Sequence, residues 1–212
     1  MKKRDFVLGL LMLGFLAAAS MTIYSCYPYN STNPAEYDVV VTLHDVLSNY
    51  TGSYKKYVMR DSVAYVSNAS GGSGITRDAQ RDALIRTRVQ ANLTSFGYTR
   101  VTDTLSADVI ITLAVTNSTS YFIDNYYPDD YWGWGYGGGY YYPWSTAYSV
   151  STGSVITTMT DKKKMQPGTT KKAIVWMGFL NGVIDGTTST INQRISAGID
   201  KCFSQSPYLK AQ

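Results

Sequence analysis

The first 26 residues decide how much of this chain is left to fold. Lys2, Lys3 and Arg4 are followed by an uncharged apolar run from Phe6 to Ile23, then by Ser25 and Cys26. A basic start, an apolar middle and small residues near the end make up an export signal. Because it ends on a cysteine, it has the form of a lipoprotein signal. Residues 1–25 would be removed, and Cys26 would be lipidated as the first mature residue. Two other readings stay open. Ala17, Ala18 and Ala19 offer an ordinary cleavage site, and about eighteen apolar residues approach the minimum for a membrane-spanning helix. Tyr24 is bulky where lipoprotein signals usually carry a small residue.

Cysteine use follows from the signal. The chain has two cysteines, Cys26 and Cys202. With Cys26 lipidated, Cys202 has no partner within the chain. With cleavage after Ala19, the two could pair in an oxidising compartment. Neither case gives a disulfide scaffold, so stability must come from an apolar core. Roughly 186 residues remain without the signal, enough for one domain with a sizeable core. The signal takes Lys2, Lys3, Arg4 and Asp5 with it, which lowers the formal charge of +4 to about +2. That is too weak to point to a nucleic-acid partner.

Residues 26–36 read as the lipidated cysteine and a tether, with two prolines among small polar residues. The domain then runs from 37 to 212. Tyr37 to Val46 is a β-branched strand, and Tyr54 to Val66 is a second extended stretch. After a Gly/Ser loop at 70–74, Thr76 is placed to cap a helix. Ile85, Val89, Leu93 and Phe96 form its single apolar stripe. Arg77, Arg81, Arg86 and Arg88 read as its solvated face, and Gly97 suits the left-handed position past its end. Ala107 to Thr116 is apolar on both faces and reads as a central strand. Thr146 to Asp161 is a strand rich in Ser and Thr, and Lys162, Lys163, Lys164, Pro167 and Gly168 read as a basic turn. Lys172 to Ile184 is the last strand. Ile191, Ile195, Ile199, Cys202 and Phe203 mark an amphipathic final helix that stops before Pro207. Cys202 on that stripe reads as a small buried hydrophobe. The expected fold is a single two-layer α+β domain, with a mainly antiparallel sheet covered on one face by two helices.

Residues 121–148 hold nine of the nineteen tyrosines and three of the four tryptophans, among glycines and prolines. Three uses are open. The rings could pack on the open sheet face. They could form a recognition surface for a sugar or another protein. They could also enter a lipid–water interface. The candidate binding residues are Trp132, Trp134, Tyr136 and Trp144. The glycines at 133, 135 and 137 lack the context of a phosphate loop. Asp124, Asp129 and Asp130 do not have the spacing of a calcium loop.

No catalytic constellation is visible. The lone His44 excludes multi-histidine zinc sites. Its neighbour Asp45 would point to the opposite face of a strand, which is poor geometry for a triad. No metal and no cofactor are expected, and a non-enzymatic role is favoured. The alternative is a hydrolase of cell-wall or glycan material using Asp124, Asp129 or Asp161 beside aromatic platforms.

Several short motifs occur in a telling order: Tyr37-Asp38-Val39-Val40-Val41, Ala107-Asp108-Val109, the Tyr/Trp/Gly segment, Gly153-Ser154-Val155-Ile156, Val175-Trp176, Asn181-Gly182-Val183 and Gln205-Ser206-Pro207-Tyr208. In this order they resemble bacterial envelope lipoproteins carrying the domain of unknown function 4136, and the signal and tether are similar to those of Bacteroidetes proteins. The resemblance implies an exported, lipid-anchored α+β domain and transfers no catalytic residue. Residues after Cys26 lack the acidic cluster associated with surface export in such bacteria, which implies an outer-membrane protein facing the periplasm. The expected partners are the membrane, through the anchor, and an envelope protein or glycan.

Overall fold

The computed structural model describes residues 39–46, 50, 54–66, 75–116, 120–122, 140–141, 148–150, 153–165, 167–168 and 171–211. Its elements in chain order are β1 (Val39–His44), β2 (Lys56–Met59), β3 (Ala64–Val66), α1 (Ala79–Ser95), β4 (Thr99–Arg100), β5 (Val109–Thr116), β6 (Ser120–Phe122), β7 (Tyr140–Tyr141), β8 (Tyr148–Val150), β9 (Val155–Met165), β10 (Lys172–Asn181) and α2 (Thr188–Ser204). The result is an open α+β fold, two helices packed against a mixed sheet.

The main sheet runs β1-β10-β9-β5-β2-β4, with β3 also beside β5 and β7 also beside β10. Its three long pairings, β1 with β10, β10 with β9 and β5 with β9, are antiparallel. The short pairings of β2 and β3 with β5, of β2 with β4 and of β7 with β10 are parallel. Strands adjacent in sequence commonly pair, but β1 bypasses β2 and joins β10. The reason is α1. A parallel pairing of β2 and β3 with β5 needs a long crossover, and the helix supplies it. The lysines assigned to a turn, Lys162 to Lys164, instead continue β9.

The core lies between the sheet and the helices. Val109, Ile111, Leu113 and Val115 of β5 meet Val155 and Met159 of β9 on the face that receives Ile85, Val89 and Leu93 of α1 and Ile195, Ile199, Cys202 and Phe203 of α2. The opposite face is also closed to solvent: Ile110, Thr112, Ala114, Ile156, Thr158, Met177 and Phe179 are all buried. β5 is therefore central, as its sequence indicates.

The helix ends follow from local chemistry. α1 is capped by Asp78, whose carboxylate accepts the N–H groups of Gln80 and Arg81 at 2.8 and 3.1 Å, rather than by Thr76. Thr76 is occupied otherwise, its carbonyl accepting from the Arg81 guanidinium at 2.6 Å. Arg81 was expected in water but is buried, and it also donates to Tyr65 OH. At the other end Gly97 adopts φ 90°. Its N–H donates to Thr94 O and that of Tyr98 to Leu93 O, which closes the last turn.

α2 lies unusually close to β10. A Cβ at position 198 would stand 1.7 Å from Leu180 Cδ2, and one at 178 would stand 2.9 Å from the Trp176 ring and 3.0 Å from Cys202 Sγ. Only glycine lets the helix and strand approach this closely. Gly198→Ala is expected to destabilise the protein by about 1–3 kcal/mol through overpacking. Adding Leu180→Ala should cost less in the Gly198→Ala background than alone. Denaturant unfolding of the four variants measures that coupling.

Candidate functional site

The sequence-derived binding residues Trp132, Trp134, Tyr136 and Trp144 lie outside the described residues, as do Cys26, Asp124, Asp129 and Asp130. The frame around the aromatic segment is described. β5 leads into it and β9 leads out, and these are antiparallel neighbours with Val115 opposite Val155. Just beyond them β6 and β8 pair antiparallel, with Ser120 opposite Val150, Tyr121 opposite Ser149 and Phe122 opposite Tyr148. Within the segment, Tyr140 and Tyr141 form β7, opposite Lys172 and Ala173 at the start of β10. The glycines and prolines oppose regular structure in the middle of the segment. The parallel edge of β10 overrides that tendency at 140–141, since β10 offers unpaired backbone groups beyond the reach of β1.

A second cluster, which sequence reasoning did not find, closes the end of the sheet where β1 finishes and β10 begins. Asp45 is buried, and its carboxylate receives the Lys164 ammonium and the Val46 N–H. The Asp45 N–H donates to Val175 O at 2.9 Å, and the buried Tyr50 hydroxyl donates to that same carbonyl. Tyr54 OH donates to Asp161 Oδ2 at 2.8 Å. Asp161 Oδ1 accepts the N–H groups of Lys163 and Lys164 at 2.7 and 3.1 Å. Tyr50 packs on Tyr54 and Tyr208, with centroids 6.2 and 5.2 Å apart, and Tyr208 also packs on His44 at 4.6 Å. The Tyr208 hydroxyl donates to Ser206 Oγ, which also accepts from Trp176 Nε1 at 2.9 Å.

This arrangement bears on two sequence expectations. Asp161 was weighed as a hydrolytic carboxylate, but its oxygens accept the N–H groups of Lys163 and Lys164 in its own strand and the Tyr54 hydroxyl. His44 does not meet the Asp45 carboxylate. Its Nδ1 lies 2.6 Å from the Asp45 backbone oxygen instead. The cluster ties β1, β9 and β10 to the chain's C-terminal turn. No sequence period marks it, because its members come from distant points of the chain and meet only at the sheet end.

On the outer side, α1 and α2 border a shallow groove of about 530 Å³ lined by Arg88, Ser189, Asn192, Gln193, Ser196 and Asp200. Its charges are mutually satisfied. Arg88 forks onto Asp200, and Asn92 donates to the same carboxylate at 2.9 Å. Burial pushes the Asp200 carboxyl up, but the bonds from Arg88 and Asn92 outweigh it and hold the group below its ordinary range.

Burial leaves its mark on the titration of the core. It raises the Tyr50, Tyr54 and Tyr98 phenols well above their ordinary 10.0, helped at Tyr54 by Asp161, and pushes the Cys202 thiol up from 9.0 to about 12. These groups are neutral when protonated, and the unfolded chain loses those protons first. Stability is therefore fully present below about pH 9 and falls as pH rises toward the folded-state values. Thermal melts followed by circular dichroism should show a melting temperature that drops steadily above about pH 9. Cys202→Ala should remove the earliest part of that drop. A flat melting temperature up to about pH 11 would contradict this picture.

The class the fold defines is thus an open α+β domain with two helices on a mixed sheet and an aromatic insertion between its central strands. The chain belongs to the DUF4136 family, a domain of unknown function, whose model matches residues 40–208. Among solved structures it is similar to a DUF4136 family protein from Bacteroides thetaiotaomicron, with 25% identity and a TM-score of 0.61 over 82% of this chain and 98% of that one. It is more distantly similar to a PelC dodecamer from Paraburkholderia phytofirmans, at 14% identity and a TM-score of 0.39 over 82% of this chain and 99% of that one. No curated protein matches the chain. Among the described residues, no helix is long and apolar enough to cross a membrane.

Proposed function

We propose that this chain is a non-catalytic, lipid-anchored protein of the bacterial cell envelope whose domain is a rigid frame for the Tyr/Trp segment. In this reading Cys26 carries the acyl chains and holds the protein at the outer membrane, facing the periplasm. Trp132, Trp134, Tyr136 and Trp144 bind an envelope protein or glycan. Aromatic rings between glycines give broad, stiff contact faces, which stack on sugar rings or on a protein surface with little loss of side-chain freedom.

The observation that carries the reading is how the segment is held. It is clamped at its base by β6 on β8 and again at β7 on β10. A segment fixed at two places has lost much of its freedom before a ligand arrives, so binding costs less. A free loop of some thirty residues would lose far more.

Photo-cross-linking from position 134 in living cells tests the proposal. One dominant protein or glycan adduct is expected, and it should disappear when Trp132 and Trp144 are replaced by Ala with the melting temperature unchanged. Adducts only within the chain, with a large fall in melting temperature in that variant, would make the rings core residues and overturn the recognition role.

A further inference from the structure

Five lysines converge on one end of the sheet. β2 begins at Lys56, preceded by Lys55. Tyr57 lies opposite Val109, which lies opposite Asp161, and Lys162 to Lys164 carry β9 past that point. The carboxylates nearby are already engaged. Asp45 holds Lys164. Asp108 Oδ2 accepts the N–H groups of Lys55 and Lys56 at 2.9 and 2.8 Å. Asp161 is held by Tyr54 and two backbone N–H groups. Asp103 accepts the Leu105 N–H at 2.9 Å. Lys55, Lys56 and Lys163 are exposed.

Leu105 and Val46 are the large apolar side chains that stand exposed among the described residues, at 85% and 63%. Both belong to this end. Val46 follows the Asp45 that closes β1, and Leu105 sits on a short turn whose Thr104 and Leu105 carbonyls each accept from Lys162 Nζ at 2.6 Å. The turn is further fixed by the Asp103 cap and by Ser106 Oγ donating to Asp103 O. A single exposed apolar residue needs no explanation. Here the exposed pair coincides with the lysine cluster, and one of the two is rigidly presented.

Lysines surrounding apolar tips match an anionic bilayer, whose phosphates attract the cations while the headgroup layer takes up the apolar groups. We infer that this end of the sheet docks on an anionic lipid surface, with Leu105 and Val46 entering the headgroup layer and the exposed Lys55, Lys56 and Lys163 above the lipid phosphates. The inference rests on the described domain alone and does not depend on lipidation of Cys26.

The test uses the mature chain from position 26 carrying Cys26→Ala, so that neither the apolar signal nor an acyl anchor masks the contact. Flotation is compared between vesicles of phosphatidylcholine alone and vesicles that also contain phosphatidylglycerol. About tenfold stronger partition onto the anionic vesicles is expected, and added salt should remove most of it. Lys55→Glu, Lys56→Glu and Lys163→Glu together should bring partition down to the neutral-vesicle level. Leu105→Ser should lower it about threefold at an unchanged melting temperature. Equal partition onto both vesicle types would overturn the inference. So would a charge-reversed variant that binds anionic vesicles like its parent, even if it lost an acidic protein partner in cells.

Discussion

Strand β10 is buried on both faces and paired along both edges, and the other elements take their places from it. β1 and β7 share one edge and β9 takes the other. α2 can reach the strand only because Gly198 lies over Leu180 and Gly178 lies beneath Trp176 and Cys202. That approach brings Phe203 to 5.4 Å from the Trp176 ring, while Phe203 in turn meets Phe96 beyond the end of α1. The indole N–H, which would be costly to bury alone, is satisfied by Ser206 just past α2. Helix, strand and C-terminal turn are therefore fixed together by packing and one polar contact.

The two ends of β10 have different chemistry. Where it finishes, Ser154 Oγ accepts the Gly182 N–H and donates to Asn181 Oδ1, which seals the turn beside the start of β9. Where it begins, carboxylates, tyrosines and lysines cluster. The carboxylates there accept backbone N–H groups and, at Asp45, the Lys164 ammonium, so they anchor strands and leave a small excess of lysines, with Lys55, Lys56, Lys162, Lys163 and Lys164 set against Asp45, Asp103, Asp108 and Asp161. A frame built this way holds the aromatic segment firmly at its base and leaves its lysines facing outward at the other end of the strands. Structural demands thus also produce the charge asymmetry on which the proposed lipid contact relies.

Much of this could be read from local sequence patterns. The three-and-four spacing of Ile85, Val89 and Leu93, the stripe ending in Cys202 and Phe203, the left-handed Gly97 and the doubly apolar β5 are each governed by neighbours a few residues away, so sequence reveals them. The pairing of β1 with β10 joins residues more than 130 positions apart, and no local period encodes it. Arg81 looked solvated because its position off the stripe says nothing about Tyr65 and the Thr76 carbonyl that draw it inward. Lys162 to Lys164 looked like a turn because a charge run is locally indistinguishable from a solvated loop. Their strand conformation comes from Asp161, which accepts the Lys163 and Lys164 N–H groups, and from the Asp108 carbonyl, which accepts that of Lys162. Gly198 was unremarkable in sequence, since only the facing Leu180 makes it indispensable.

Native-state hydrogen exchange tests the organising role of β10 most directly. The amides of β10 and of its partners β9 and β5 are expected to be the slowest in the protein and to exchange only through global unfolding, while those of β4 and the edge residues of β2 open earlier. If β10 amides exchanged faster than those of α1, the strand would not be the element on which the fold depends.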